Sequence, residues 1–74
     1  MKHWKQTEEQ LRLALAQLNY IGGTEQAEEY LAHNELWLAW EAMQEIADSQ
    51  GVTLAEFWRP MAKAAGLMLA AEES

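Results

Sequence analysis

Hydrophobic positions recur along the chain at intervals of three and four residues, the spacing that places side chains on one face of a helix. Residues that favour strands are scarce, because Val52 is the only Val and Ile21 and Ile46 are the only Ile. The pattern predicts an all-α fold, a compact bundle of four short helices in a single domain spanning residues 1–74. The predicted core faces are Leu11, Ala14, Leu15 and Leu18; Ala27, Tyr30 and Leu31; Leu36, Ala39, Trp40, Met43, Ile46 and Ala47; and Leu54, Phe57, Trp58, Met61, Ala64, Ala65 and Met68.

Capping residues divide the first half of the chain into two helices. Thr7 is expected to open the first helix, with Gln10 at the spacing of a capping box. The pair Gly22-Gly23 is expected to end that helix, and Thr24 is expected to cap the second. Residues 1–6 would then precede the first helix, and we expect them to be mobile.

The junction between the second and third helices allows two readings. His33-Asn34 favours a break, with Asn34 as the N-cap of a third helix that runs from about Glu35 to Ser49 and stops at Gly51. Alternatively, one helix runs through this point with a bend. The sequence leaves both readings open.

The last helix contains the only proline. Thr53 and Glu56 have the spacing of a capping box, which predicts the start of this helix. Its apolar face keeps one phase across Pro60, so we expect one helix kinked at Pro60 rather than two separate helices. Residues 70–74 are expected to fray.

Acidic residues dominate the middle of the chain. Twelve Asp and Glu against five Lys and Arg give a formal net charge of −7. This charge argues against binding to nucleic acid or to an anionic membrane surface, both of which attract Lys and Arg. No basic residue occurs from Leu13 to Trp58, a stretch that contains Glu25, Glu28, Glu29, Glu35, Glu41, Glu45, Asp48 and Glu56.

Two large apolar residues fall beside the acidic residues of the third helix. On a helical wheel, Glu41, Glu45 and Asp48 cluster opposite the core face, and Trp37 and Leu38 flank them outside the core arc. Such an arrangement is typical of an apolar anchor within a charged protein interface. Leu13 and Tyr20 form a similar second stripe on the first helix. Ordinary packing and a solubility surface are the alternatives, because isolated exposed apolar residues are normal.

The residue types needed for catalysis or metal binding do not form a recognisable set. The chain has no Cys, and its histidines are His3 and His33. Glu29 and His33 stand four residues apart, but a second ligand set of the kind used in di-iron bundles is missing. We expect neither an enzyme, nor a metal site, nor a cofactor. No apolar run approaches the length of a membrane span, so we expect a cytoplasmic protein.

A short segment resembles a known family. The stretch Glu29-Tyr-Leu-Ala-His33-Asn-Glu-Leu-Trp-Leu-Ala-Trp-Glu41 is similar to small immunity proteins of bacterial polymorphic and contact-dependent toxin systems, where a helix ends at His-Asn or His-Gly before an acidic residue and a Leu-Ala run. The family pattern has a small residue where Trp37 stands. The resemblance implies an acidic, all-helical, cytoplasmic protein that binds and neutralises a cognate toxin.

These observations lead to one functional hypothesis and two alternatives. The hypothesis is an immunity- or antitoxin-like module that occludes a basic bacterial protein such as a secreted toxin. The alternatives are a structural or regulatory domain that self-associates as a homodimer, and a small-ligand or metal-binding domain. The predicted partner-binding residues are Trp37, Leu38, Glu41, Glu45, Asp48, Glu25, Glu28 and Glu29.

Overall fold

The computed structural model describes residues 3–73, with side chains described from residue 4 to residue 72. Within this range the chain forms four helices, which confirms the all-α prediction. They are α1 (His3–Ala16), α2 (Glu25–Ala32), α3 (Leu36–Gln50) and α4 (Ala55–Glu73). Of the helices in this range, none combines the length and the apolar character that crossing a membrane requires.

The helices pack as two pairs that share one core. α1 lies along α4, α2 lies on α3, and α3 also contacts α1 and α4. The bundle is flat, with principal extents of 35 × 24 × 16 Å. Its buried apolar side chains are Leu11, Ala14, Leu15, Leu18, Ala27, Leu31, Ala39, Met43, Ala47, Val52, Phe57, Met61, Ala64 and Met68.

The first helix begins earlier than predicted. Thr7 does not open it, because α1 already includes His3 and Thr7 is buried within the helix. The periodic apolar face starts only at Leu11, so the sequence pattern alone gave no sign of the preceding turns. After Ala16 the chain continues in tight turns, in which the backbone N–H groups of Leu18 and Ile21 donate to carbonyls three residues earlier. Residues 1, 2 and 74 lie outside the described range.

The break between α2 and α3 is real, but Asn34 does not cap α3. Asn34 adopts a left-handed conformation with φ of 60°, and Glu35 occupies the N-cap position. Asn tolerates this conformation better than most residues, so it turns the chain after α2 has ended. Thr24 does occupy the N-cap position of α2, although its hydroxyl donates to Glu28 Oε2 at 3.0 Å and makes no capping bond.

The fourth helix is continuous across Pro60, as the retained apolar phase predicts. It begins at Ala55, so Thr53 lies two residues before its first residue. Leu54 precedes the helix and is 44% exposed, so its assignment to the core face is wrong. Pro60 is buried and has no N–H to donate to the carbonyl of Glu56.

Candidate protein-binding surface

The carboxylates of α2 and α3 and of the turn between them form an acidic layer. All seven side chains are exposed, and no Lys or Arg lies between them. In the rest of the chain five basic residues balance five acidic ones, so this layer accounts for the whole net charge of −7. The acidic layer consists of Glu25, Glu28, Glu29, Glu35, Glu41, Glu45 and Asp48.

No cation of the described residues compensates the acidic layer. The ion pair seen in residues 3–73 lies within α1, where Arg12 contacts Glu8 at 2.8 Å. Within the layer, Glu41 and Glu45 are four residues apart on one helix, a spacing at which like charges cost a few tenths of a kcal/mol. An external cation bound beside Glu41 and Glu45 would therefore relieve this repulsion.

A shallow groove of about 190 Å³ runs between α2 and α3. Leu38, which is 43% exposed, provides an apolar wall beside Glu41 and Glu45. On the α2 side, Gln26 Nε2 donates to the hydroxyl of Tyr30 at 3.1 Å. We call this the α2–α3 groove; its lining residues are Gln26, Tyr30, Leu38, Glu41, Ala42 and Glu45.

Trp37 occupies a different environment from the predicted one. Its side chain is half-buried and packs against the core, with its ring edge-to-face on Trp40 at a centroid distance of 5.8 Å. Its Nε1–H donates to Glu72 Oε2 on α4 at 2.8 Å. The prediction that Trp37 flanks the acidic residues outside the core is wrong, because the end of α4 covers one side of α3.

The structure separates the predicted binding residues into groups. Leu38, Glu41 and Glu45 line the α2–α3 groove, and Asp48 is exposed further along α3. The remaining three, Glu25, Glu28 and Glu29, are exposed on α2 without lining the groove.

Three groove residues, Gln26, Tyr30 and Ala42, are not among the predicted binding residues. Tyr30 belongs to the predicted apolar face of α2, and the sequence analysis gives no role to Gln26 or Ala42. The spacing of four residues between Gln26 and Tyr30, which allows a helix side-chain pair, was the available signal.

The second apolar stripe faces another part of the molecule. Leu13 is 57% exposed and lines a groove between α1 and α4, together with Pro60, Arg59 and Lys63. Tyr20 is 72% exposed in the turn after α1. Leu13 and Leu38 line separate grooves, and Trp37 packs against the core. These three residues therefore do not form one exposed apolar patch.

Three residues of types that can bind a metal, Glu29, His33 and Glu35, are near one another in sequence. Across the described residues, no group of three or more His, Cys, Asp or Glu side chains is placed to hold a metal ion.

No protein-family model, curated protein or solved structure matches the chain. Among the described residues, the features that bear on function are the charge of the acidic layer and the α2–α3 groove.

Proposed function

We propose that the protein is a binding module that inhibits a basic bacterial protein, in the manner of an immunity protein or antitoxin, by covering a cationic surface with its acidic layer. The observation that carries this proposal is the location of the entire net charge of −7 on α2, α3 and their connecting turn. The resemblance of residues 29–41 to small immunity proteins supports the same class of function.

Electrostatic complementarity supports a protein partner with a cationic cleft. Opposite charges steer two proteins together and disfavour wrong partners, and this steering weakens as salt increases. A nuclease toxin is one candidate, since its cleft must attract phosphate groups, and exposed carboxylates imitate that negative field. Inhibition then needs no chemistry on this chain, only occupancy of the cleft.

Within the acidic layer, α3 supplies the centre of the proposed contact. Glu41, Glu45 and Asp48 provide charge, and Leu38 provides the exposed apolar surface that anchors an interface. The α2 acids Glu25, Glu28 and Glu29 extend the negative surface. Trp37 packs between Trp40 and Glu72, and we assign it to holding α3 against α4 instead of to direct anchoring.

A pair of charge reversals tests the proposal. The partner to be tested is the product of the neighbouring open reading frame. We expect Glu41→Lys/Glu45→Lys to weaken binding to that product by at least about tenfold, or ~1.4 kcal/mol, measured by calorimetry. The reason is that two attractive contacts become repulsive. The same variant is expected to stop protecting cells that express that product.

The matched control makes the same change of net charge elsewhere. Glu9 on α1 and Glu56 on α4 are both exposed and lie outside the acidic layer, so Glu9→Lys/Glu56→Lys should keep affinity within about threefold. Thermal unfolding of both variants checks that each is folded. Equal affinity of the two double variants, or a neighbouring product that is neither toxic nor bound, would refute the proposal.

Self-association is a second candidate, and the exposure of Leu13 and Tyr20 is the observation that favours it. A dimer that buries these side chains would gain roughly 25 cal/mol for each Å² of apolar surface removed from water. Sedimentation of a monomer at micromolar concentration would exclude this candidate and leave the first unaffected.

A further inference from the structure

We infer that the α2–α3 groove receives an arginine side chain of the partner. The inference rests on the proposed function, since it names the chemical group that the acidic layer recognises. The groove is open and shallow, with a volume of about 190 Å³, so it can take one long side chain but cannot enclose a helix about 10 Å across.

The α3 wall of the groove alternates between apolar and anionic surface. Leu38 and Ala42 lie four residues apart, and so do Glu41 and Glu45. Residues at this spacing lie one helical turn apart on the same face. The wall therefore presents an aliphatic strip beside a pair of carboxylates.

Arginine matches this wall because its side chain also has an apolar part beside a charged part. Its methylene stem packs on apolar surface while the charged end stays near water and acidic groups. The planar guanidinium has N–H donors on more than one edge, so it can reach two carboxylates whose Cβ atoms are about 5–6 Å apart. A lysine ammonium is a compact point charge with stronger hydration, which fits a pair of separated acceptors less well.

The α2 wall adds an aromatic surface. Tyr30 is half-buried against the core, and its hydroxyl accepts a hydrogen bond from Gln26 Nε2. Guanidinium groups stack on aromatic rings more readily than ammonium groups do. No Lys or Arg lines this groove, so the site is free to accept an external cation.

A peptide titration followed by NMR tests the inference. The probe is the acetylated and amidated tripeptide alanine-arginine-alanine, added to the protein with isotope-labelled Leu methyl groups and Tyr rings. We expect saturable shifts at Leu38 and Tyr30 with a Kd in the millimolar range. The equivalent peptide with citrulline, which is nearly isosteric but uncharged, should bind at least about tenfold more weakly.

Two variants and one control assign the binding to the groove. Glu41→Gln/Glu45→Gln should abolish saturable binding of the arginine peptide, and Leu38→Ala should weaken it about threefold by removing the surface for the stem. The control is Leu13→Ala, which removes an exposed leucine that lines the separate α1–α4 groove. This control should bind the peptide as the unmodified protein does.

The contrary outcomes are distinct from failure of the proposed function. A third peptide, with lysine in place of arginine, should bind more weakly than the arginine peptide. Absence of saturable shifts, equal binding of the citrulline peptide, tighter binding of the lysine peptide, or shifts centred away from Leu38 and Tyr30 would each overturn the arginine assignment. The acidic layer could still bind a basic protein in those cases. Conversely, equal affinity of Glu41→Lys/Glu45→Lys and Glu9→Lys/Glu56→Lys for the partner protein would refute the proposed function. That result would hold even if the arginine peptide bound in the groove.

Discussion

At the scale of single residues, three indole N–H groups find acceptors that are distant along the chain or in a turn. Trp37 donates to the Glu72 carboxylate, Trp40 to the carbonyl of Met61 at 2.8 Å, and Trp58 to the carbonyl of Val52 at 2.7 Å. Among the described residues, every buried side-chain nitrogen or oxygen has a partner. These bonds fix how α3 and α4 are oriented, in addition to the apolar area that the rings bury.

Trp58→Phe tests the value of one such bond. The change keeps an aromatic ring but leaves the carbonyl of Val52, which lies in the turn before α4, without its indole donor. We expect a loss of about 1–3 kcal/mol in the free energy of unfolding, measured with urea. Trp4→Phe is the control, because Trp4 is 42% exposed, and it should change stability by less than about 0.5 kcal/mol. Equal effects would show that the Trp58 bond adds nothing.

Residue-scale predictions from the sequence were limited by long-range contacts. Helical phase placed Trp40 and Trp58 against the core correctly. The same phase put Trp37 outside the core, because a wheel of α3 contains no information about α4. The covering residue, Glu72, is 35 positions away, and no local pattern links the two.

At the scale of elements, residues with positive φ follow the ends of α2 and α3. Gly51 follows α3 with φ of 68°, and its N–H donates toward the carbonyls of the last turn. Asn34 has the same role after α2, and Gly22 and Gly23 also have positive φ in the connection before α2. The turns are therefore specified by residues that tolerate the left-handed conformation.

Two glycine substitutions separate this conformational effect from packing. At both Gly51 and Gly66 an added Cβ would have no atom within 4 Å other than those of neighbouring residues and of the local helix backbone. However, Gly51 has positive φ and Gly66 lies inside α4. We expect Gly51→Ala to destabilise by about 1 kcal/mol. Gly66→Ala should stabilise by about 0.5–1 kcal/mol, because alanine is the better helix former. Thermal unfolding measures both, and effects of the same sign would contradict the interpretation.

The sequence predicted the elements well and their first residues less well. Four apolar stripes gave four helices, since burial of one face dominates helix formation in a bundle. The starts failed at Thr7 and Asn34 because polar residues that can cap a helix also occur inside helices and in turns. The choice between a break at residues 33–34 and one bent helix depends on the backbone angles there. A sequence composed of good helix formers does not specify those angles.

At the scale of the whole molecule, charge is divided between the two helix pairs. The α1–α4 side is electrically balanced, and the α2–α3 side carries seven uncompensated carboxylates. The sequence located this acidic segment correctly, because charge can be counted without a structure. It could not define the α2–α3 groove, which forms only when Gln26 and Tyr30 pack beside Leu38.

The division of charge predicts a response to salt. The Debye length is about 30 Å at 0.01 M salt and about 3 Å at 1 M, and the molecule measures 35 × 24 × 16 Å. Repulsion within the acidic layer should therefore decrease as sodium chloride rises, and the midpoint of urea unfolding should increase.

Glu41→Gln/Glu45→Gln should be more stable than the unmodified protein at low salt, by a few tenths of a kcal/mol. Its midpoint should also respond less to salt. Glu9→Gln/Glu56→Gln is the control and should keep the full response, because these residues lie on the balanced side. An unfolding midpoint that does not change with salt would show that the layer carries no repulsive cost.

The absence of ion pairs between the acidic layer and the other described residues also bears on how the chain could evolve. The side chains of the acidic layer are exposed, although one of them, Glu28, accepts a hydrogen bond from the buried Thr24. Substitutions at the other six positions can thus change what the molecule attracts while the fold persists. A lineage under pressure to follow a changing partner could vary these six positions independently of the core.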